Sequence, residues 1–234
     1  MFNSQEAVAS KIIVALDVPN LEVAIATIHT LPQVQFWKVG LELFCASGPI
    51  ILDVLKDQGK RIFLDLKLHD IPNTVAAAAR AIAPYGVDFV TIHTATGLAG
   101  LKTAQTALGE SSTQLIGVTL LTSIDANTLQ QELQIPLDPA TYVERMADLA
   151  HQAGLAGIVC SPQEAARVKQ RCGEAFLRIC PGIRPLGTAT GDQARSLTPN
   201  AAFAAGASYL VIGRPILQAA DPAKAFDDIC RSLI

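Results

Sequence analysis

Short apolar runs recur along the chain at residues 12–16, 36–39, 62–66, 89–92, 115–120, 157–160, 176–180 and 209–212. Each is continuous rather than alternating, the pattern of a strand covered on both faces, as in a parallel sheet. Segments with helical periodicity lie between them, at 21–30, 49–58, 74–85, 98–108, 142–152, 162–170 and 222–233, so strand and helix alternate throughout. From residue 12 to residue 209 the seven steps average about 28 residues, the size of one strand-plus-helix unit. Eight such units in 234 residues predict an α/β protein with a single domain over 1–234, a (β/α)₈ or TIM barrel, a fold that takes about 250 residues. A doubly wound open sheet is the structural rival. No G-x-G-x-x-G or Walker-type glycine pattern follows any of the runs, which counts against it.

Two connections are longer than the rest. The one after Leu120 carries a polar stretch and an additional helix; the one at 182–199 is rich in Gly, Pro, Thr and Ser with little apolar periodicity. The second has the length and composition of a mobile loop over a site, or of a plain surface loop.

Composition narrows the class. Apolar types make up 50% of the chain and charged types 17%, enough to bury a sizeable core and too few charges for disorder. Lys and Arg number 18 against 21 Asp and Glu, a net charge of -3, and the basic residues are scattered, which excludes a nucleic-acid surface but not a small phosphate-bearing ligand. No stretch approaches 18 consecutive apolar residues, and residues 1–11 hold no cationic segment leading into an apolar one, so a cytoplasmic protein is expected. Five cysteines, with no C-x-x-C pair, read as reduced thiols. Cys160 and Cys180 end apolar runs and read as small buried hydrophobes rather than nucleophiles.

In a barrel, reactive groups gather at the carboxyl ends of the strands. Each run here ends in chemistry: Asp17 after the first, Lys38 in the second, Asp65 and Lys67 in the third, and His93 after the fourth. Thr122 and Ser123 follow the fifth, Arg184 the seventh and Arg214 the eighth. In 62–74, Asp65 and Lys67 share one strand face while Leu64, Leu66 and Leu68 take the other, toward the helices. The charged face then looks into the barrel, where burial requires an ion network with Lys38 or a ligand, or else a structural salt bridge at the rim. Gly213 followed by Arg214 presents a backbone N–H beside a guanidinium, which suits a phosphate near the seventh and eighth loops. Joined to Pro181-Gly182-Ile183-Arg184 and the loop leading to Gln193, it forms a candidate phosphate site.

These residues resemble the orotidine 5'-phosphate decarboxylase family. Its pattern D-x-K-x-x-D-[IV]-[GP]-x-T stands complete as Asp65, Lys67, Asp70, Ile71, Pro72 and Thr74. The likeness runs from Ala15-Leu16-Asp17 through Lys38-Val39-Gly40, Leu121-Thr122-Ser123 and Pro181-Gly182-Ile183-Arg184 to Ile212-Gly213-Arg214-Pro215. The resemblance implies that orotidine 5'-phosphate is decarboxylated to uridine 5'-phosphate in pyrimidine biosynthesis, with no metal and no organic cofactor. It implies Lys67 as the proton donor, Asp65 and Asp70 flanking it, and Lys38 completing an alternating array of charge. It places Asp70 and Thr74 in the site of a neighbouring subunit, hence a homodimer. Asp17 and Lys38 would hold the ribose hydroxyls, Thr122 the pyrimidine, and Arg184, Gln193, Gly213 and Arg214 the phosphate end.

His69 and His93 are read as packing or hydrogen-bonding groups rather than proton carriers, and His29 and His151 as surface residues of helical segments. Two rival functions stand beside the resemblance. A sugar-phosphate decarboxylase or aldolase with the same D-x-K-x-x-D strand would use Mg²⁺ to hold an enediolate. A phospholigand-binding barrel would bind the nucleotide and release no CO₂.

Overall fold

The structure is a computed structural model that describes residues 4–185 and 197–234. Eight strands, β1 (Ile12–Ala15), β2 (Phe36–Val39), β3 (Arg61–Leu68), β4 (Phe89–His93), β5 (Gln114–Val118), β6 (Gly157–Val159), β7 (Leu177–Cys180) and β8 (Tyr209–Ile212), form a closed barrel in chain order. Every neighbouring pair is parallel, and β1 pairs with both β2 and β8. The closure of β8 on β1 disposes of the open-sheet rival.

The described helices are α1 (Gln5–Ala9), α2 (Leu21–Thr30), α3 (Leu41–Ser47), α4 (Ile50–Asp57), α5 (Pro72–Ile82), α6 (Gly97–Ala107), α7 (Pro139–Gln152), α8 (Ala165–Cys172), α9 (Pro199–Ala204), α10 (Arg214–Leu217) and α11 (Pro222–Arg231). Their starts are written in the sequence. The Asn20 side chain accepts from the Val23 N–H, Asp138 from Thr141 and Asp221 from Lys224, each satisfying an amide that the first helical turn leaves without a partner. Proline stands in the first turn of α5, α7, α9, α10 and α11, where its missing N–H costs nothing. The helix expected after Leu120 is a single π turn, Thr128–Glu132, ahead of α7.

Strand parity divides the core in two. Outward residues such as Val14, Trp37, Val39, Leu64, Val90 and Ile92 pack under the helices in one continuous apolar layer. Inward residues Ile13, Phe36, Phe63, Phe89, Ile116, Ile179, Tyr209 and Val211 fill the barrel itself. Phe36, Phe89 and Tyr209 meet edge to face or tilted with ring centroids 5.3–5.8 Å apart, and the Arg61 guanidinium lies 4.0 Å over the Phe36 ring. Arg61 is held there by Asp88 at 2.7 Å. The amino-terminal end of the barrel interior is thus filled by aromatic rings under a paired cation, and the cavity that the strand-end residues line opens at the carboxyl ends.

All five cysteines are free thiols, four of them buried. A hydrogen bond with Cys180, followed by burial, holds the Cys160 thiol well above its ordinary value, so it packs as a hydrophobe. His29 and His151 are exposed.

Candidate active site

A cavity of about 510 Å³ opens at the carboxyl ends of the strands. Ala15, Phe63, Val118, Val159 and Val211 contribute apolar lining, inward residues whose parity places them above the aromatic plug. Asp17, Lys38, Asp65 and Lys67 come from the first three strands and the turn after β1, and Thr122, Arg184, Gly213 and Arg214 from the loops after β5, β7 and β8. Eight of the residues singled out in the sequence therefore meet in one cavity.

The charges alternate through space. Lys38 Nζ donates to Asp17 Oδ1 at 2.7 Å and lies 3.8 Å from Asp65 Oδ2; Lys67 Nζ donates to the same Asp65 oxygen at 2.7 Å. Lys38 and Asp65 are buried, whereas Lys67 is partly exposed to the cavity. Each ammonium partner offsets part of the hydration that the Asp65 carboxylate gives up on burial. Gly40 leaves room for this: a Cβ there would stand 2.7 Å from Lys38 Nζ and 3.0 Å from Asp17 Oδ1.

Strand β3 is not regular where it carries this pair. Leu64 pairs with Val90 and Leu68 with Ile92, so β3 spends four residues where β4 spends two. Lys67 sits at φ +51, the left-handed region that costs a residue with a Cβ about 1–2 kcal/mol. The bulge sends both Asp65 and Lys67 inward against a single inward residue of β4, Thr91. Thr91 is fully buried; its hydroxyl donates to Asp65 Oδ1 at 3.0 Å and accepts the Lys67 N–H at 2.8 Å. The sequence reading missed Thr91, although a polar residue at an inward position of an otherwise apolar run was the signal for it.

His93 stacks on His69, with ring centroids 5.1 Å apart and planes 30° from parallel. Burial first, then the His69 and Lys67 charges, lowers the His93 pKa from its ordinary value. Its Nδ1 is buried without a hydrogen-bond partner. Of the two roles expected for it, packing is the one the contacts support.

Asp70 and Thr74 do not reach the cavity. Both are exposed, on either side of Ile71, which is 66% exposed; Asp70 Oδ1 accepts the Ile71 N–H. Arg184 and Arg214 line the cavity, and the arm that bears Arg184 is fixed at its base by the Ile183–Leu197 bridge and the 2.9 Å bond from the Arg184 N–H to the Leu197 carbonyl. Gln193 and most of the 182–199 connection lie outside the described residues. Among the described residues no cluster of three or more His, Cys, Asp or Glu side chains is placed to hold a metal ion, and no helix is long and apolar enough to cross a membrane.

A closed (β/α)₈ barrel whose mouth carries a lysine and carboxylate array together with two arginines defines a barrel of the type that handles small anionic ligands. The chain belongs to the orotidine 5'-phosphate decarboxylase / HUMPS family, whose sequence model matches residues 10–229. It is 93% identical over 234 residues, the whole of both chains, to a protein of Thermosynechococcus vestitus named orotidine 5'-phosphate decarboxylase. It is 56% identical over 230 residues to one of the same name from Nostoc, covering 95% of this chain and 97% of the other. The crystal structure of orotidine 5'-phosphate decarboxylase from Lactobacillus acidophilus superposes with a TM-score of 0.84 at 38% identity, covering 95% of this chain and 98% of that one.

Proposed function

We propose that this protein is a carboxy-lyase that converts orotidine 5'-phosphate to uridine 5'-phosphate and CO₂, the final step of uridine monophosphate biosynthesis. The observation that carries the reading is the unbroken chain of contacts from Asp17 through Lys38 and Asp65 to Lys67 along one side of the cavity.

The chemistry needs such a group. When the bond from C6 to the carboxylate carbon breaks, its electron pair stays on C6 in the plane of the pyrimidine ring, where the π system does not delocalise it. An ammonium fixed beside C6 stabilises that charge and then delivers its proton there; solvent later restores the proton to the amine. Lys67 has this role. Asp65 holds the ammonium and stands near the departing carboxylate, so that repulsion is relieved as CO₂ leaves. Lys38 balances Asp65 and, with Asp17, receives the ribose hydroxyls; Thr122 faces the pyrimidine. Arg184, Arg214 and the Gly213 backbone take the phosphate, whose binding energy is available to orient the distant reacting bond. Every group here belongs to the polypeptide or the substrate, and the reaction requires no cofactor.

The active unit is a homodimer in which Asp70 and Thr74 of each chain complete the other chain's site. Their exposure outside their own cavity, on either side of an exposed isoleucine, supports this. The enzyme works in the cytoplasm.

The test is to add orotidine 5'-phosphate to purified protein in EDTA and follow the ultraviolet change as the carboxylate is lost. Turnover in EDTA establishes the reading and removes the Mg²⁺-dependent rival. Folded protein that binds uridine 5'-phosphate but leaves the substrate intact would overturn it in favour of a binding barrel.

A further inference from the structure

One hydroxyl stands between the two groups on which the proposed chemistry depends. Thr91 Oγ1 has one proton and two lone pairs. The proton goes to Asp65 Oδ1 at 3.0 Å, and a lone pair takes the Lys67 N–H at 2.8 Å. Those bonds fall where the β3–β4 register skips between Leu64 and Leu68 and where Lys67 adopts its left-handed backbone. Thr91 is completely buried on β4 and does not itself line the cavity.

We infer that Thr91 is a positioning residue for the decarboxylation: by bridging the Asp65 carboxylate and the Lys67 amide it holds the bulge that aims the Lys67 ammonium. The inference rests on the decarboxylase reading of the site. The Asp65 carboxylate has two oxygens with different duties. Oδ2 takes Lys67 Nζ at 2.7 Å and faces Lys38 Nζ at 3.8 Å, while Oδ1 takes Thr91. Without the hydroxyl the carboxylate is free to turn about its last torsion, and its hold on the ammonium turns with it. The Lys67 N–H, deprived of its acceptor in a part-buried setting, also pulls the bulge toward a regular ladder, which relieves the left-handed φ and swings the side chain. Displacing a reacting group by about 1 Å costs on the order of 100-fold in rate. Substrate contacts made by Asp17, Thr122, Arg184 and Arg214 come from other strands and loops and are left in place.

The experiment compares the full-length protein with Thr91→Val, which replaces the hydroxyl by a methyl, and Thr91→Ser, which keeps the hydroxyl and loses a methyl. The readings are kcat and KM for orotidine 5'-phosphate, the Kd of uridine 5'-phosphate, and the thermal midpoint. Thr91→Val is expected to lose about 10- to 100-fold in kcat with KM and product Kd within about threefold of the parent, and Thr91→Ser to stay within about threefold in kcat even if its midpoint falls. Where Thr91→Val does not fold, Thr91→Ala replaces it, and Ser must exceed Ala by about tenfold or more in kcat. Near-parental kcat in Thr91→Val, equal losses in the Val and Ser variants, or kcat and product affinity falling in the same proportion would overturn the inference. Silence of the unaltered protein toward the substrate would instead overturn the decarboxylase reading.

Discussion

At the scale of single residues, Asp65 and Lys67 were legible because strand parity is a local rule: two residues apart on a strand means one face. The cost of burying charge inside a barrel left a network with Lys38, a ligand or a rim salt bridge open, and the 3.8 Å approach of Lys38 to Asp65 selects the first. The φ of +51 at Lys67 and the two-residue skip around it left no local mark, since a bulge is set by the partner strand's pairing rather than by its own sequence. Arg214 offers a test of role at this scale. It lines the cavity from the first position of α10, just after β8, the strand that pairs with β1. Arg214→Ala is predicted to raise KM for orotidine 5'-phosphate by roughly 100-fold, the loss of a charge-assisted phosphate contact, and to leave turnover of the phosphate-free nucleoside nearly unchanged. Equal losses with both substrates in steady-state kinetics would remove Arg214 from the phosphate site.

At the scale of elements, the strands and the long helices were readable, and the short helices were not. The segments α1, α3, α9 and α10 have 5, 7, 6 and 4 residues, too few for a 3.6-residue period to declare itself. Their stability comes from tertiary packing, for α1, α3 and α10 against neighbouring helices, which no window along the chain records. The end of β4 also carries a pH-sensitive histidine. His93 has its pKa lowered by burial, by His69 and by Lys67, so the folded protein binds a proton there less readily than the unfolded chain. As pH falls below the ordinary histidine value of about 6.5, the unfolded state takes up the proton first, and stability is lost until the lower folded pKa is passed. Above that ordinary value the group contributes no slope. His93→Asn is therefore predicted to lose less thermal midpoint than the parent between about pH 7.5 and pH 5, read by calorimetry. Parallel curves for the two proteins would show that His93 is not the group responsible.

At the scale of the whole molecule, the barrel was legible because eight repeats of one unit leave few other ways to cover both faces of parallel strands. The proposed dimer was not, because Asp70 and Thr74 read as ordinary exposed residues of a helix start, and only the family resemblance assigns them to another chain's site. That assignment makes a prediction no single-chain site would share. Lys67→Ala and Asp70→Asn, each pure, should both lose several orders of magnitude in kcat. In a heterodimer of the two, one site carries both substitutions, while the other combines the Lys67 of the Asp70→Asn chain with the Asp70 of the Lys67→Ala chain and is intact. Equal amounts unfolded together and refolded form about half heterodimers, so activity should return to about a quarter of the unaltered protein's, by the symmetry of a two-fold dimer. A mixture no more active than its components would place Asp70 in its own chain's site. Activity that returns and then fades on dilution would tie the intact site to the dimer itself, because in the proposed arrangement only association would bring Lys67 of one chain to Asp70 of the other.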